Sequence, residues 1–122
     1  MKTLRLLLFC LGAMAVSQAQ EFRATINGRV TDPSGSAVPN ATIEVRNPAT
    51  NEATTAKSDS QGNYVVPFLR PGDYKLTVTA TGFKTYAREQ VTLQVGQTVA
   101  IEAKLEVGQL SDTVTVTGEV PL

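Results

Sequence analysis

Apolar side chains recur at every second position along most of this chain, and that alternation decides what it can fold into. Tyr74, Leu76, Val78 and Ala80 alternate with Lys75, Thr77 and Thr79. Val91, Leu93 and Val95 alternate with Thr92 and Gln94, and Ile43 and Val45 with Glu44 and Arg46. Val99, Ile101, Ala103 and Leu105 alternate with Ala100, Glu102 and Lys104. A period of two gives each segment one apolar and one wet face, the pattern of antiparallel sheets packed on one side. Thr and Val supply much of it, and their branched Cβ atoms suit a pleated surface better than a helix. No window of about 11 residues carries a helical stripe.

Turn residues punctuate the alternation. Asp32-Pro33-Ser34-Gly35, Pro39-Asn40, Asn47-Pro48-Ala49-Thr50-Asn51, Asp59-Ser60-Gln61-Gly62, Pro71-Gly72, Gly82 and Gly96 interrupt it about every 8–14 residues, the rhythm of a sandwich. The spacing predicts strands near 24–31, 42–47, 53–58, 63–68, 73–80, 85–95 and 97–106. The expected fold is all-β: a seven-stranded antiparallel Greek-key β-sandwich in which each sheet covers the other. Its core is expected to hold Ile26, Val30, Ile43, Val45, Tyr64, Val66, Leu69, Tyr74, Leu76, Val78, Val91, Leu93, Val99, Ile101 and Leu105. Phe83, just after Gly82, is expected to fold over one end.

The first residues follow another logic. Lys2 and Arg5 precede an uncharged apolar run from Leu6 to Val16, then Ser17-Gln18-Ala19. This is the three-part pattern of a secretory signal peptide, and the run falls short of the roughly 20 residues a spanning helix needs. Cleavage is expected between Ala19 and Gln20, giving a leader over 1–19, a domain over 20–107 and a tail over 108–122. Removing 1–19 removes Cys10, the single cysteine, so the exported remainder would hold no thiol and no disulfide. It also takes two of the 11 basic residues and none of the 11 acids, so the net charge becomes 9 − 11 = −2.

Composition closes off several activities. There is no His, which excludes Ser-His-Asp chemistry and imidazole metal ligation within the chain. The absence of a basic excess argues against nucleic acid. These 122 residues are too few for a transmembrane barrel of eight or more strands. Asp59-Ser60-Gln61-Gly62-Asn63 sets oxygen ligands beside a glycine but lacks the further carboxylates of a calcium loop, so an Asp-capped turn is expected. The first strand offers Arg29 where a lysine–asparagine cross-link would need a nucleophilic Lys. No paired carboxylates suggest glycosidase work. No enzyme activity and no cofactor are expected. Phe68, Phe83 and Tyr86 are the candidates for stacking on a glycan, with core or end-cap roles as the alternative.

Two stretches carry a family resemblance. Gly28 to Val45, reading Gly-Arg-Val-Thr-Asp-Pro-Ser-Gly-Ser-Ala-Val-Pro-Asn-Ala-Thr-Ile-Glu-Val, resembles the opening of a carboxypeptidase regulatory-like domain. Ser58-Asp59-Ser60-Gln61-Gly62-Asn63-Tyr64, then Leu69 to Val78, then Gly82-Phe83, match its later signature in order and spacing. The resemblance implies a prealbumin-like, carbohydrate-binding-like sandwich, with no catalytic residues to carry over. Fold alone does not name a ligand.

Asp112-Thr113-Val114-Thr115-Val116-Thr117-Gly118 resembles the TonB box of TonB-dependent outer-membrane receptors. There the box is a short extended segment near the mature N-terminus that pairs with the periplasmic domain of TonB. An uncharged Thr/Val stretch suits strand addition, in which main-chain bonds supply the affinity. The resemblance implies an exported, monomeric module at the periplasmic face of the outer membrane, the front part of a receptor whose barrel is not here, with Asp112 to Thr117 free for TonB. The other readings are a small glycan-binding module, a stand-alone structural domain of a secreted protein, and a tail that is simply an eighth strand or frayed.

Overall fold

A computed structural model describes residues 22–116. They form nine strands: β1 (Ala24–Thr31), β2 (Thr42–Arg46), β3 (Ala53–Lys57), β4 (Asn63–Leu69), β5 (Gly72–Thr79), β6 (Thr85–Leu93), β7 (Thr98–Ala100), β8 (Ala103–Lys104) and β9 (Thr113–Val116). The expected sandwich is present. A smaller sheet runs β4-β1-β7 with β8 also on β1, and a larger one runs β3-β2-β5-β6-β9.

The alternation places the core where period two requires. Across the centre of the larger sheet, Ile43 faces Val78 and Val45 faces Leu76 in register, and all four are almost wholly buried. Ile26, Val30, Val66, Ile101 and Leu105 answer from the smaller sheet. Of the expected core only Val99 is merely half-buried, packed against the core from outside. Ser58 is the one polar residue among the buried ones described. Its Oγ donates to the Val38 carbonyl at 2.7 Å and accepts from the Ala41 N–H at 2.8 Å, fastening the β1–β2 connection.

Two expectations are corrected. The strand expected over 97–106 appears as β7 and β8, and both run parallel to β1, not antiparallel. Register is continuous through the gap: Thr25 pairs with Thr98, and Val30 with Ala103, an offset of 73 in both cases. The ladder is interrupted opposite Gly28, where the chain presses so close that a Cβ on Gly28 would collide with the Ile101 carbonyl. That carbonyl accepts the Tyr64 hydroxyl, and the Ile101 N–H donates to Asn27 O at 2.7 Å. Direction is set by the short 94–97 link, which carries the chain from one sheet to the other; alternation says nothing about direction. The second correction is β9, a further strand that pairs parallel with β6.

Two bulges adjust the phase of the strands. Between Ala24 and Ile26 the β4 partner skips from Leu69 to Val66, and Phe68 in the bulge takes φ +61°. Between Tyr74 and Leu76 the β6 partner skips from Val91 to Arg88, with Gln90 at φ +57°. Such a bulge puts two residues opposite one and reverses which face the following side chains take.

Candidate functional site

The candidate site is the rim where the tail returns to the larger sheet. Leu105, deeply buried, donates its N–H to Thr31 O at 2.8 Å and ends the run along β1. The chain then crosses the end of the sandwich along Gly82–Lys84. Lys84 N–H donates to Glu106 O at 2.8 Å, Phe83 and Val107 form an antiparallel bridge, and Gly108 N–H reaches Gly82 O at 3.2 Å. Gly108 lies flat against the Lys84 side chain, with no room for a Cβ. The Lys84–Glu106 ion pair, at 3.9 Å and open to solvent, adds little.

A turn closed by Asp112 N–H to Gln109 O at 2.9 Å then aims the tail along β6. Thr85 receives it with both its polar groups: Oγ1 donates to Leu110 O and the N–H to Asp112 O, each at 2.8 Å. Thr113, Val114, Thr115 and Val116 pair in order with Thr85, Tyr86, Ala87 and Arg88. Only Val114 is half-buried; the other three side chains of β9 are exposed. β9 is the last strand of its sheet, so its outer edge pairs with nothing among the described residues.

Asp112 to Val116 therefore sit together in one extended segment, but that segment is docked, which corrects the expectation of a free tail. The physical reason is the β6 edge itself. It would otherwise leave unpaired N–H and C=O groups, and a Thr/Val alternation is well suited to fill them. Thr117 and the expected cleavage pair Ala19 and Gln20 lie outside the described residues.

The three aromatic candidates are not brought together. Tyr86 is 8% exposed and belongs to the core. Phe83 is half-buried over the end of the sandwich, as its place after Gly82 suggested. Phe68, thrown outward by its bulge, is 66% exposed and lies beyond the opposite end of β5. The cleft beside Phe68, lined in part by Asn47, Glu52 and Arg70, has a volume of about 160 Å³. That is below the roughly 300–1,000 Å³ of ordinary ligand sites.

The Gln90 bulge explains what the sequence pattern missed. Counting back by twos from Val91 points Tyr86 and Arg88 outward; the extra residue turns both inward. Arg88 then lies opposite Leu76, and its Nε is buried with no hydrogen-bond partner among the described residues. Burial lifts the Tyr64 phenol well above its usual range, the neighbouring Tyr86 and Glu102 adding to the rise and Arg88 opposing it.

At the other loops, carboxylates serve as caps. Asp32 Oδ1 accepts from the Ser34 hydroxyl at 2.6 Å and from the N–H groups of Ser34 and Ser36 at 2.9 Å. The Ser34 hydroxyl, then the Ser36 N–H, hold this carboxyl below the ordinary carboxylate range. Asp59 Oδ1 accepts from the N–H groups of Gln61 and Asn63, both at 2.9 Å, as an Asp-capped turn should. Among the described residues no three acidic or thiol groups cluster closely enough to hold a metal ion.

Known proteins place this arrangement. The family model for the carboxypeptidase regulatory-like domain matches residues 25–106. The TonB-dependent transporter Oar of Myxococcus xanthus is 32% identical over 111 residues, covering 90% of this chain and 10% of the transporter. The chain thus spans about a tenth of that relative's length. Among solved structures, the minor pilin GBS52 of Streptococcus agalactiae superposes with a TM-score of 0.56 at 16% identity, covering 84% of this chain and 49% of the pilin. A putative carbohydrate binding protein from Bacteroides uniformis gives 0.54 at 18% identity, covering 71% of this chain and 42% of its own. At such identities the structural likenesses speak for the fold alone.

Proposed function

This chain belongs to the carboxypeptidase regulatory-like domain family, and from that premise we propose that it is a non-enzymatic, exported module forming the periplasmic N-terminal part of a TonB-dependent outer-membrane receptor. Residues Asp112 to Thr117 are its contact with the periplasmic domain of TonB, and the sandwich is the body that positions them. The observation that carries this reading is the likeness to the transporter. It covers 90% of the chain, more than residues 25–106 of the family match, and so extends beyond the sandwich into its flanks.

The geometry supports the chemistry such a contact needs. A strand partner recognises main-chain groups first and tolerates small, uncharged side chains. The segment 113–116 offers an extended backbone with three exposed side chains and an outer edge unpaired among the described residues. Its acid, Asp112, stands just before β9 and leaves that strand itself free of charge. The module's own place is then the periplasmic face of the outer membrane, with transport left to a barrel elsewhere in the protein.

Titration of the isotope-labelled chain with the TonB periplasmic domain tests the reading. Backbone amide signals of 112–117 are expected to move while those of β2 and β5 stay put. Signals at 112–117 that ignore saturating TonB sink it.

A further inference from the structure

Four chain segments meet at the end of the sandwich away from Phe83. Phe22 enters there, its carbonyl accepting the Gly96 N–H at 3.1 Å. Ala24 pairs with Leu69, which puts the β4–β5 turn beside the entry, and Gly72 pairs with Leu93, which brings the β6–β7 turn alongside. The Asn47 side chain lies near Gly72, so the β2–β3 loop is the fourth. Three of these segments expose a large apolar side chain: Phe22 is 54% exposed, Phe68 66% and Val95 69%. Phe68 takes a left-handed φ that a bulky residue rarely adopts, and the bulge that holds it so keeps the ring out of the core. Arg23 stands with its guanidinium carbon 5.9 Å from the centre of the Phe22 ring. The opposite end differs. It exposes the aliphatic Val107 and Leu110, but Phe83 there is half-buried, and the carboxylates of Asp32 and Asp59 cap its loops.

The chain itself indicates what the Phe22 end faces. The apolar run Leu6–Val16 ends a few residues before Phe22, so the flank that enters here is the one that export brings to a bilayer. The flank that leaves is directed the same way. β9 runs parallel to β6, and β6 ends at Leu93, beside the β4–β5 turn. In the receptor proposed above, that flank leads to the outer membrane. Charge selects no partner at this end, since Arg23 and Arg70 are matched by Glu52 and Asp73. The exposed apolar groups stand on separate segments, which suits a soft interface that closes around each of them, whereas a protein partner needs a continuous, closely packed patch.

We propose that this end of the sandwich seats on a phospholipid surface. The rings of Phe22 and Phe68 and the Val95 side chain enter the boundary between headgroups and acyl chains, and Arg23 stays at headgroup level beside its ring. Weak contacts suffice, because a chain tethered to the membrane holds this end near the surface at high effective concentration. Seating fixes how the sandwich stands on the membrane, and with it the direction in which β9 is presented. The inference rests on the receptor reading for the leaving flank only.

The exported chain, residues 20–122, contains every strand of both sheets and is the form to test. It is expected to sediment with vesicles of phosphatidylethanolamine holding a minor share of phosphatidylglycerol. Phe22→Ser combined with Phe68→Asn, the latter chosen because Asn tolerates a left-handed φ, is expected to weaken that partition at least about tenfold, while Leu110→Ser at the far end leaves it unchanged. In bicelles of the same lipids, a spin-labelled lipid is expected to broaden the amides of 22–23, 68–72 and 94–97 and to spare those of 32–36 and 59–62. No partition by the unsubstituted chain, a loss from Leu110→Ser equal to that of the double variant, or broadening spread evenly over both ends would each overturn the proposal. Shielding of Phe68 by a later part of a longer receptor, without lipid contact, would overturn it in favour of a protein partner. The TonB titration decides the receptor reading separately: a chain that seats on vesicles through Phe22 and Phe68 but ignores TonB sinks that reading and leaves the membrane contact standing.

Discussion

β6 carries a neighbour on each side, and the two are held in opposite ways. On one side β5 pairs with it along nearly its whole length and sends Tyr74, Leu76 and Val78 into the core, none more than 7% exposed. On the other, β9 makes a shorter, parallel ladder of four residues and brings only one half-buried side chain. A ladder tells a strand where to lie; burial of its side chains decides how firmly it stays there. One sheet thus combines a structural wall with a working edge, and the difference lies in buried side chains as well as in the length and direction of the ladder.

The largest expected effect breaks the wall. Leu76→Ala removes a fully buried side chain from the middle of β5 and leaves a cavity between Val45 and the smaller sheet. The expected loss is about 2–5 kcal/mol. Urea unfolding followed by tyrosine fluorescence measures it, since the chain has no Trp. A loss well under 1 kcal/mol would mean that β5 is not the firmer neighbour and would erase the contrast.

A smaller effect concerns the seam between the sheets. Tyr64 gives its hydroxyl to the Ile101 carbonyl, opposite Gly28, and burial raises its phenol above the ordinary range. The native state therefore holds the proton more tightly than the unfolded chain. That contribution is fully present below the ordinary phenolic value of about 10 and is lost progressively as pH rises above it, by up to about 1.4 kcal/mol per pH unit. Tyr64→Phe is expected to cost about 1–2 kcal/mol at neutral pH by orphaning the Ile101 carbonyl. It is also expected to flatten the alkaline fall of the urea midpoint. An alkaline slope unchanged by the substitution would show that the phenol is not what limits the fold there.

How much of this was legible beforehand follows the same division. The wall was readable because its strands keep alternation between recognisable turns, so β2, β5 and their core residues fell where period two put them. The direction of the last run along β1 was not readable, because alternation looks the same in either sense and the 94–97 link decides it. Nor was its interruption, which exists because Gly28 lets Ile101 approach closer than any side chain would. Gln90 hid the inward turn of Tyr86 and Arg88, since one bulged residue exchanges the faces of everything before it. That is why Tyr86 looked like a surface aromatic. The composition of 112–117 announced a strand-competent segment. That it docks on its own sandwich depends on an open β6 edge, a tertiary fact that no local pattern encodes.

The smallest expected effect sharpens the contrast from the working side. Val114→Ala removes the one half-buried side chain of β9, opposite Tyr86 in the ladder. Because that side chain is only half-buried, the global urea midpoint should move by less than about 0.5–1 kcal/mol, far less than for Leu76→Ala. The local consequence should be larger than the global one. With the ladder alone left to hold β9, the bonded amides of 113–116 should lose several-fold protection while those of β5 keep theirs. A variant that unfolds as readily as Leu76→Ala would make β9 an integral part of the sandwich. One that leaves protection in 113–116 unchanged would mean that the Thr85 anchor and the backbone hold the strand by themselves.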